Sequence, residues 1–253
     1  MSSLADHLPS WRPVLLVAER EVAAIFDSKI VHVCGIAFVV LASSIFMNEF
    51  FLTGLVDMSG FFELLPLLLP LFVPAISMRS WSEERRVRSI ELLLTLPIRS
   101  VEAVLGKFLA GLVLLAVMLL GTLPIVVMLI VLGDPDLGRI AAGYLGSFLL
   151  GAMLLGLGSF VSALTADQIV SFVSAAVLSF LFVLAGNERV VPVLDGMAPS
   201  LSLGTLLHDW VSIAPHHAAF SRGIVSLSGL CYYLGVAAAF LWACALALDW
   251  NRE

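Results

Sequence analysis

Two adjacent glutamates, Glu83 and Glu84, stand in a charged stretch that runs from Arg79 to Pro97 between two long apolar runs. Adjacent carboxylates can activate a water molecule as a general base. Further along the chain, His208-Asp209 and His216-His217 offer the imidazole and carboxylate groups that suit zinc or copper. The residue types are therefore compatible with two kinds of chemistry, hydrolysis and metal binding.

The glutamate pair belongs to the run Glu83-Glu84-Arg85-Arg86-Val87-Arg88, which resembles the EExxxR pattern of the CAAX-type intramembrane proteases. That family also needs Phe-x-x-x-His and His-x-x-x-Asn/Asp settings within helices. Here the residues four positions before the later histidines are Ser28, Gly204, Ser212 and Ile213. A protease is therefore the less favoured interpretation. The histidines are interpreted as ordinary loop or interfacial residues, and no metal site is predicted.

The residues of this chain show no recognisable energy source. No charged residue stands near the centre of an apolar run, so the usual marker of a proton relay or ion coupling is missing. Gly106-Lys107 is followed by Phe108, without the glycine and the Ser/Thr of a Walker A loop. If ATP drives this protein, a separate subunit must bind ATP and magnesium, and no cofactor is predicted for the chain itself.

The composition places these residues in an integral membrane protein. Hydrophobic residues make up 60% of the 253 positions and charged residues 13%, against about 45–50% and 25% in soluble domains. A bilayer-spanning helix needs about 20 apolar residues. Six apolar runs meet that length: 30–52, 61–78, 104–132, 140–164, 168–186 and 227–248. The predicted fold is all-α, with six transmembrane helices.

The distribution of basic residues orients the predicted spans. Of the 13 Lys and Arg residues, all but Arg139, Arg189 and Arg222 fall on the side that carries both termini. Basic residues favour the cytoplasmic side, so both termini are predicted to be cytoplasmic. The formal net charge of −6 then reflects acidic outer loops, and it gives no indication of nucleic-acid binding.

The predicted organisation has three parts. Residues 1–29 form a cytoplasmic N-terminus, in which apolar positions 14, 17, 18, 22 and 25 indicate an amphipathic interfacial helix. Residues 30–248 form the six-helix domain, with a cytosolic helix at about 82–97. An outer segment at about 187–226 is expected to be short helices or re-entrant. Residues 249–253 form a cytoplasmic tail.

Two sets of residues inside the spans could serve packing or line a pathway. Three prolines at intervals of four share one helix face and are expected to bend or unwind the second span. Small residues in the fourth and fifth spans allow close helix contact, or form a weakly polar translocation surface. These residues are Pro66, Pro70, Pro74, Gly143, Ser147, Gly151, Ser171 and Ser179.

Several motifs together resemble the type-2 ABC transporter permeases, specifically the gliding-motility GldF-like subfamily. They begin with Ser82-Glu83-Glu84-Arg85-Arg86, which leads to Ile90-Glu91-Leu92-Leu93-Leu94-Thr95-Leu96-Pro97, and continue with Leu105-Gly106-Lys107-Phe108. Gly143-Tyr144-Leu145-Gly146, Ser162 to Val170 and Phe220-Ser221-Arg222-Gly223 follow in order. The resemblance covers nearly the whole chain, with Arg88-Ser89 and Asp167 as departures from it.

The resemblance implies a permease of the bacterial inner membrane, of the export type and without enzyme activity of its own. It implies that 82–97 is a coupling helix docked in a cytosolic ABC ATPase, and that 14–26 is its elbow helix. The ATPase-coupling residues are then Glu83, Glu84, Arg85, Arg86, Glu91, Leu92, Leu93, Leu94, Thr95 and Pro97. Implied partners are two ATPase copies, a second permease copy and, in many systems, a membrane subunit with a periplasmic domain. A non-transporting anchor that transmits ATPase motion is the open alternative.

Overall fold

The computed structural model describes residues 11–87, 99–185 and 212–250, and the regular structure in these ranges is α-helical. The helices in chain order are α1 (Trp11–Phe26), α2 (Lys29–Thr53), α3 (Ser59–Ser77), α4 (Arg79–Arg86), α5 (Ser100–Leu120), α6 (Leu123–Leu132), α7 (Leu137–Leu164), α8 (Gln168–Ala185), α9 (Ala214–Ser221) and α10 (Leu227–Trp250). The all-helical prediction is confirmed over this part of the chain.

Within the described ranges, five helices are long and apolar enough to cross a membrane: Lys29–Thr53, Ser59–Arg86, Ser100–Leu132, Leu137–Leu164 and Leu227–Trp250. The remaining predicted span begins at Gln168 and is apolar, but over Gln168–Leu184 it is shorter than the others. The chain is therefore a multi-pass membrane protein with five candidate spans. The last helix continues to Trp250, so the predicted tail starts within it.

The helix α7 is the centre of the bundle. In its most apolar window 83% of the residues are buried, against 17% for α2. Gly143 lies against the Phe62 ring, and a Cβ at Gly151 would stand 2.6 Å from Leu115. Small residues thus let α3 and α5 approach α7 closely, whereas α2 exposes most of its apolar surface, as a lipid-facing helix does.

The third predicted span is interrupted, which the apolar run does not reveal. Helix α5 ends at Leu120 and α6 starts at Leu123. Pro124 lacks a backbone N–H and so cannot continue the hydrogen bonding of the preceding turn. At this break the Thr122 hydroxyl donates to the Leu119 carbonyl at 2.6 Å and lies 2.7 Å from the Tyr144 hydroxyl. The predicted span 104–132 is thus one candidate span, Ser100–Leu132, built from two consecutive helices.

Helix α3 runs through Pro66, Pro70 and Pro74 as one helix, so the prolines do not unwind it. Each proline leaves the carbonyl four residues earlier without its helical donor. For Pro66 that carbonyl belongs to Phe62, and the His217 Nε2 lies 2.8 Å from its oxygen. Because a carbonyl can accept but not donate, Nε2 carries the proton. Helix α9 therefore satisfies the carbonyl that Pro66 leaves free.

Both ends of the bundle have their own polar surface. The Ser100 hydroxyl donates to Asp249 at 2.5 Å, which joins the start of α5 to the end of α10 on what we name the terminal face. On the opposite face, Arg139 pairs with Asp57 at 3.3 Å and donates to the Ser221 carbonyl at 3.0 Å. The two faces lie at the two ends of the long helices.

Candidate functional site

Helix α4 is the described beginning of the charged stretch. It starts at Arg79 and ends at Arg86, whereas the sequence predicted a helix over about 82–97. The helix thus begins three residues earlier, directly after α3, and a turn follows at Val87. Residues 88–98 lie outside the described part, and with them Glu91, Leu92, Leu93, Leu94, Thr95 and Pro97.

A side chain from α7 fixes the start of α4. The Ser162 Oγ accepts hydrogen bonds from the backbone N–H groups of Trp81 and Ser82, both at 3.1 Å, and donates to the Met78 carbonyl at 3.0 Å. The first N–H groups of a helix lack partners within the helix. Ser162 is fully buried and supplies those partners from a different element, so α4 is attached to the central helix of the bundle.

A buried cation connects α4 to two other helices. The Lys107 Nζ of α5 donates to the Ser80 carbonyl at 2.8 Å and lies 2.9 Å from Glu84 Oε1 and 3.3 Å from Glu21 Oε1. The ammonium also lies 4.8 Å from the centre of the Trp81 ring, within cation–π range. Its side chain is 4% exposed. Lys107 therefore links α1, α4 and α5 at one buried point.

Arg20 extends this group to the surface. Its Nη2 lies 2.7 Å from Glu21 Oε1 and 3.6 Å from Glu84 Oε1. The hydrogen bond to Glu21 raises the pKa of Arg20, although burial acts to lower it. We name Arg20, Glu21, Glu84 and Lys107 the Lys107 cluster. It holds two cations and two carboxylates, so its charges balance internally.

A second ion pair lies within α4, and its arginine also binds the turn between α1 and α2. Arg79 donates two hydrogen bonds to the Glu83 carboxylate, from Nε at 2.8 Å and from Nη2 at 3.0 Å. The remaining Arg79 Nη1 donates to the Ser28 hydroxyl at 2.8 Å. Bidentate pairs of this kind hold geometry better than single contacts. Glu83 therefore stabilises α4 itself, and Arg79 carries the connection to Ser28.

The two arginines that end α4 differ from these glutamates. The Arg85 Nε and Nη2 are buried and make no hydrogen bond with the residues that the structure describes. Arg86 is exposed. The four predicted coupling residues of α4 thus differ: Glu84 binds Lys107 of α5, and Glu83 binds Arg79 within α4. The Arg85 side chain is partly buried, and Arg86 faces outward.

This geometry does not favour the hydrolytic interpretation. Both carboxylates of the Glu83-Glu84 pair are bound by cations, Arg79 for Glu83 and Lys107 for Glu84. A general base needs a carboxylate free to take a proton from water. The arrangement is suited to holding helices together and to passing a displacement of α4 on to α1 and α5.

Of the two pairs considered for metal binding, the structure describes only His216-His217. His208 and Asp209 lie outside the described residues. His216 stacks on Tyr232 with ring centres 4.8 Å apart, and His217 binds the Phe62 carbonyl. Burial lowers the pKa of both histidines. In the described ranges no three His, Cys, Asp or Glu side chains gather as a metal site would require.

The residues predicted for packing or a pathway lie mostly inside the bundle. Pro70 and Pro74 are buried, and the buried Ser147 hydroxyl donates to the Gly143 carbonyl at 2.8 Å. Ser171 and Ser179 are fully buried, and their hydroxyls make no hydrogen bond within the described ranges. The contacts of Gly143 and Gly151 are explained by helix packing. For Ser171 and Ser179, both helix packing and a polar translocation surface remain as interpretations.

Sequence reasoning missed the partners of the glutamates. Lys107 and Ser162 belong to motifs of the family resemblance, but the sequence predicted no contact for either residue. The signal for Lys107 was available, because a lysine inside the apolar helix α5 requires a counter-charge. Which carboxylate supplies it depends on tertiary packing.

Comparison with curated protein sequences finds no match, whereas comparison with protein families does. The family described as ABC-2 family transporter protein matches residues 15–229, which include the Lys107 cluster, α4, the central helix α7 and the start of α10. The match covers most of the chain and agrees with the multi-pass helical architecture. The chain belongs to the ABC-2 transporter family.

Proposed function

We propose that this permease subunit couples ATP hydrolysis by separate cytosolic subunits to movement of its own helices, and that the Lys107 cluster passes the force on. Membership of the ABC-2 family makes the chain a membrane component of an ABC transporter. The GldF-like subfamily assignment, based on the motifs around Glu83 to Pro97, is part of the proposal. So is the export direction.

The observation that carries this proposal is the position of Lys107. Its ammonium contacts Ser80 and Glu84 of α4 and Glu21 of α1, and it belongs to α5. An ion inside a low-dielectric site holds its partners more strongly than a surface pair does. A push on α4 is therefore transmitted to the helix before the first span and to the third span together.

The segment that receives the push is proposed to follow α4. The Glu91 to Pro97 stretch combines Leu92, Leu93 and Leu94 with charged neighbours, and such an apolar surface needs a partner to cover it. An ABC ATPase subunit, two copies per complex and loaded with ATP and magnesium, is the proposed partner. Arg86 is exposed at the end of α4, and it is the described side chain nearest in sequence to that surface.

The topology proposed for this mechanism has six spans and cytoplasmic termini in a bacterial inner membrane. Helix α8 supplies the sixth span: it contacts α4, while Val183 near its other end lines a cavity with Glu63 and Pro66 near the start of α3. Its ends thus reach toward both faces. Helix α1 is the proposed elbow, and its Val17 packs against Gly106 of α5.

A second permease copy completes the proposed complex, as a homodimer or a heterodimer, with a periplasmic-domain membrane subunit as a further partner. The non-transporting anchor remains the second candidate function. It is supported by the same cluster, since force transmission does not require a substrate path. Reconstituted vesicles distinguish the two, because a permease moves a substrate across the bilayer and an anchor does not.

The experiment that tests ATPase docking uses the complex purified through the permease. Leu93→Asp places a charge on the proposed apolar docking surface, and we expect it to abolish co-purification of the ATPase while leaving membrane insertion intact. Leu55→Asp is the matched control, because Leu55 is an exposed leucine in the loop between α2 and α3. Equal ATPase recovery with both variants would exclude the docking surface.

A further inference from the structure

A cavity of about 290 Å³ lies between α3, α8 and α9 on the opposite face. Its wall includes two charged side chains of opposite sign, Glu63 from α3 and Arg222 from the end of α9. Apolar atoms come from Leu67, Val183 and Ile213. The cavity therefore offers an anionic group, a cationic group and an apolar surface to one occupant.

The two charges are available for a ligand. Neither the Glu63 carboxylate nor the Arg222 guanidinium makes a hydrogen bond or ion pair in the part of the chain that the structure describes, and both residues are exposed. The cavity of about 300 Å³ near the terminal face differs in this respect. There Arg79 is bound to Glu83, and Lys107 to Glu21 and Glu84, so its charges are already neutralised.

The depth of the cavity indicates a lipid. Glu63 stands four residues after Ser59, where α3 begins, which is about 6 Å along a helix at 1.5 Å per residue. The headgroup region on each side of a bilayer is about 5–7 Å thick. With the start of the apolar helix α3 placed at the membrane surface, Leu67, one turn further, reaches the depth of acyl chains. The charged part of the wall and its apolar part thus match the two parts of a phospholipid.

The sign of the charges indicates which headgroup fits. Arg222 can bind a phosphate, for which a guanidinium is well suited. Glu63 can accept hydrogen bonds from a primary ammonium, whereas a quaternary choline has no N–H to donate. We propose that this cavity binds an aminophospholipid, with its phosphate at Arg222 and its ammonium at Glu63.

One wall of the site is held rigid by the contact described above for α9. His217 lines the cavity and donates to the Phe62 carbonyl, one turn before Pro66. Arg139 holds the Ser221 carbonyl, next to Arg222 in sequence. The backbone that carries Arg222 is therefore fixed to α3 and to α7.

Native mass spectrometry of the full-length chain in detergent micelles tests the site. The probes are phosphatidylethanolamine, phosphatidylcholine and the soluble headgroup glycerophosphoethanolamine. We expect the chain to prefer phosphatidylethanolamine over phosphatidylcholine by about tenfold in Kd, as a charge-assisted hydrogen bond provides. Glu63→Gln should abolish this preference, and Arg222→Gln should raise the Kd of both lipids by about tenfold.

Two surface variants on α1, Glu19→Gln and Arg12→Gln, remove the same charges far from the cavity and should leave both Kd values unchanged. Equal binding of the two lipids by the wild-type chain would overturn the proposal, as would a preference that survives Glu63→Gln. If glycerophosphoethanolamine binds as tightly as the lipid, the ligand is a soluble zwitterion and the lipid assignment is wrong. None of these outcomes depends on an ATPase.

Discussion

Two cavities of similar size, one near each end of the bundle, differ in whether the charged side chains that line them are paired. Near the terminal face, Glu21, Glu83, Arg79 and Lys107 line one cavity and are paired among themselves. On the opposite face, Glu63 and Arg222 line the other and remain unpaired within the described residues. Paired charges hold helices to one another, and unpaired charges are free to bind something else.

The difference assigns separate tasks to the two ends of one molecule. The paired end joins α1, α4 and α5, the elements beside the proposed ATPase contact. The unpaired end lies where α9 meets α3, at the proposed lipid site. Not every charged residue of this permease is therefore a docking residue. Variants at the two ends should have different effects.

The largest effect is expected from Lys107→Met. The substitution leaves the Glu84 and Glu21 carboxylates without their buried cation, which costs about 3 kcal/mol of unfolding free energy. Denaturant titration of the chain in micelles measures this. Glu63→Gln is the comparison from the opposite face, where an exposed unpaired carboxylate is lost and the change should stay within about 0.5 kcal/mol. Similar losses in the two variants would remove the distinction between the cavities.

Ser162→Ala should have the next largest effect. It removes the acceptor of two N–H groups at the start of α4, and we expect a loss of about 2 kcal/mol. Ser147→Ala is the matched control, because Ser147 is equally buried on α7 but bonds its own helix at Gly143. The same titration compares them. A loss from Ser147→Ala as large as that from Ser162→Ala would argue against the cap.

A double-mutant cycle of His217 and Pro66 measures the hydrogen bond that joins α9 to α3 on the opposite face. His217→Ala leaves the Phe62 carbonyl without a donor, whereas Pro66→Ala returns a backbone N–H at position 66 that can bond this carbonyl. We therefore expect His217→Ala to cost about 1 kcal/mol less in the Pro66→Ala background than in the wild type. Unfolding free energies of the four proteins give the coupling. Strict additivity would show that the hydrogen bond does not matter.

The smallest effect is expected at the exposed edge of the Lys107 cluster. Arg20 is 59% exposed on its side chain, and surface ion pairs contribute little because solvent screens them. Arg20→Gln should change the unfolding free energy by no more than about 0.5 kcal/mol. A loss approaching that of Lys107→Met would mean that Arg20, and not the buried lysine, holds the cluster together.

Local sequence pattern predicted the helices because each long apolar run has the length that a bilayer requires. The break at Gly121-Thr122 was missed, although Pro124 marks it, because the run stays apolar across the break. The amphipathic face of α1 was identified correctly in Val14 and Val17, but its partner is α5. Apolar periodicity predicts which face is buried and does not identify what buries it.

The site could be predicted less well, because its contacts join residues far apart in the chain. Glu83 and Glu84 are neighbours with the same side chain, yet one binds four residues back and the other binds Lys107 of a different helix. The His217 contact has a sequence signal, since Pro66 must free the Phe62 carbonyl. The donor could not be named before the position of α9 relative to α3 was known.

We propose that Glu84, through Lys107, carries force from α4 to α1 and α5, whereas Glu83 stabilises α4 locally. The most direct measurement compares the ATPase rate of the intact complex in vesicles with Glu84→Gln and with Glu83→Gln. Our account predicts that Glu84→Gln loses the permease-dependent stimulation by about tenfold, while Glu83→Gln retains most of it. Equal stimulation in the two variants would contradict the claim.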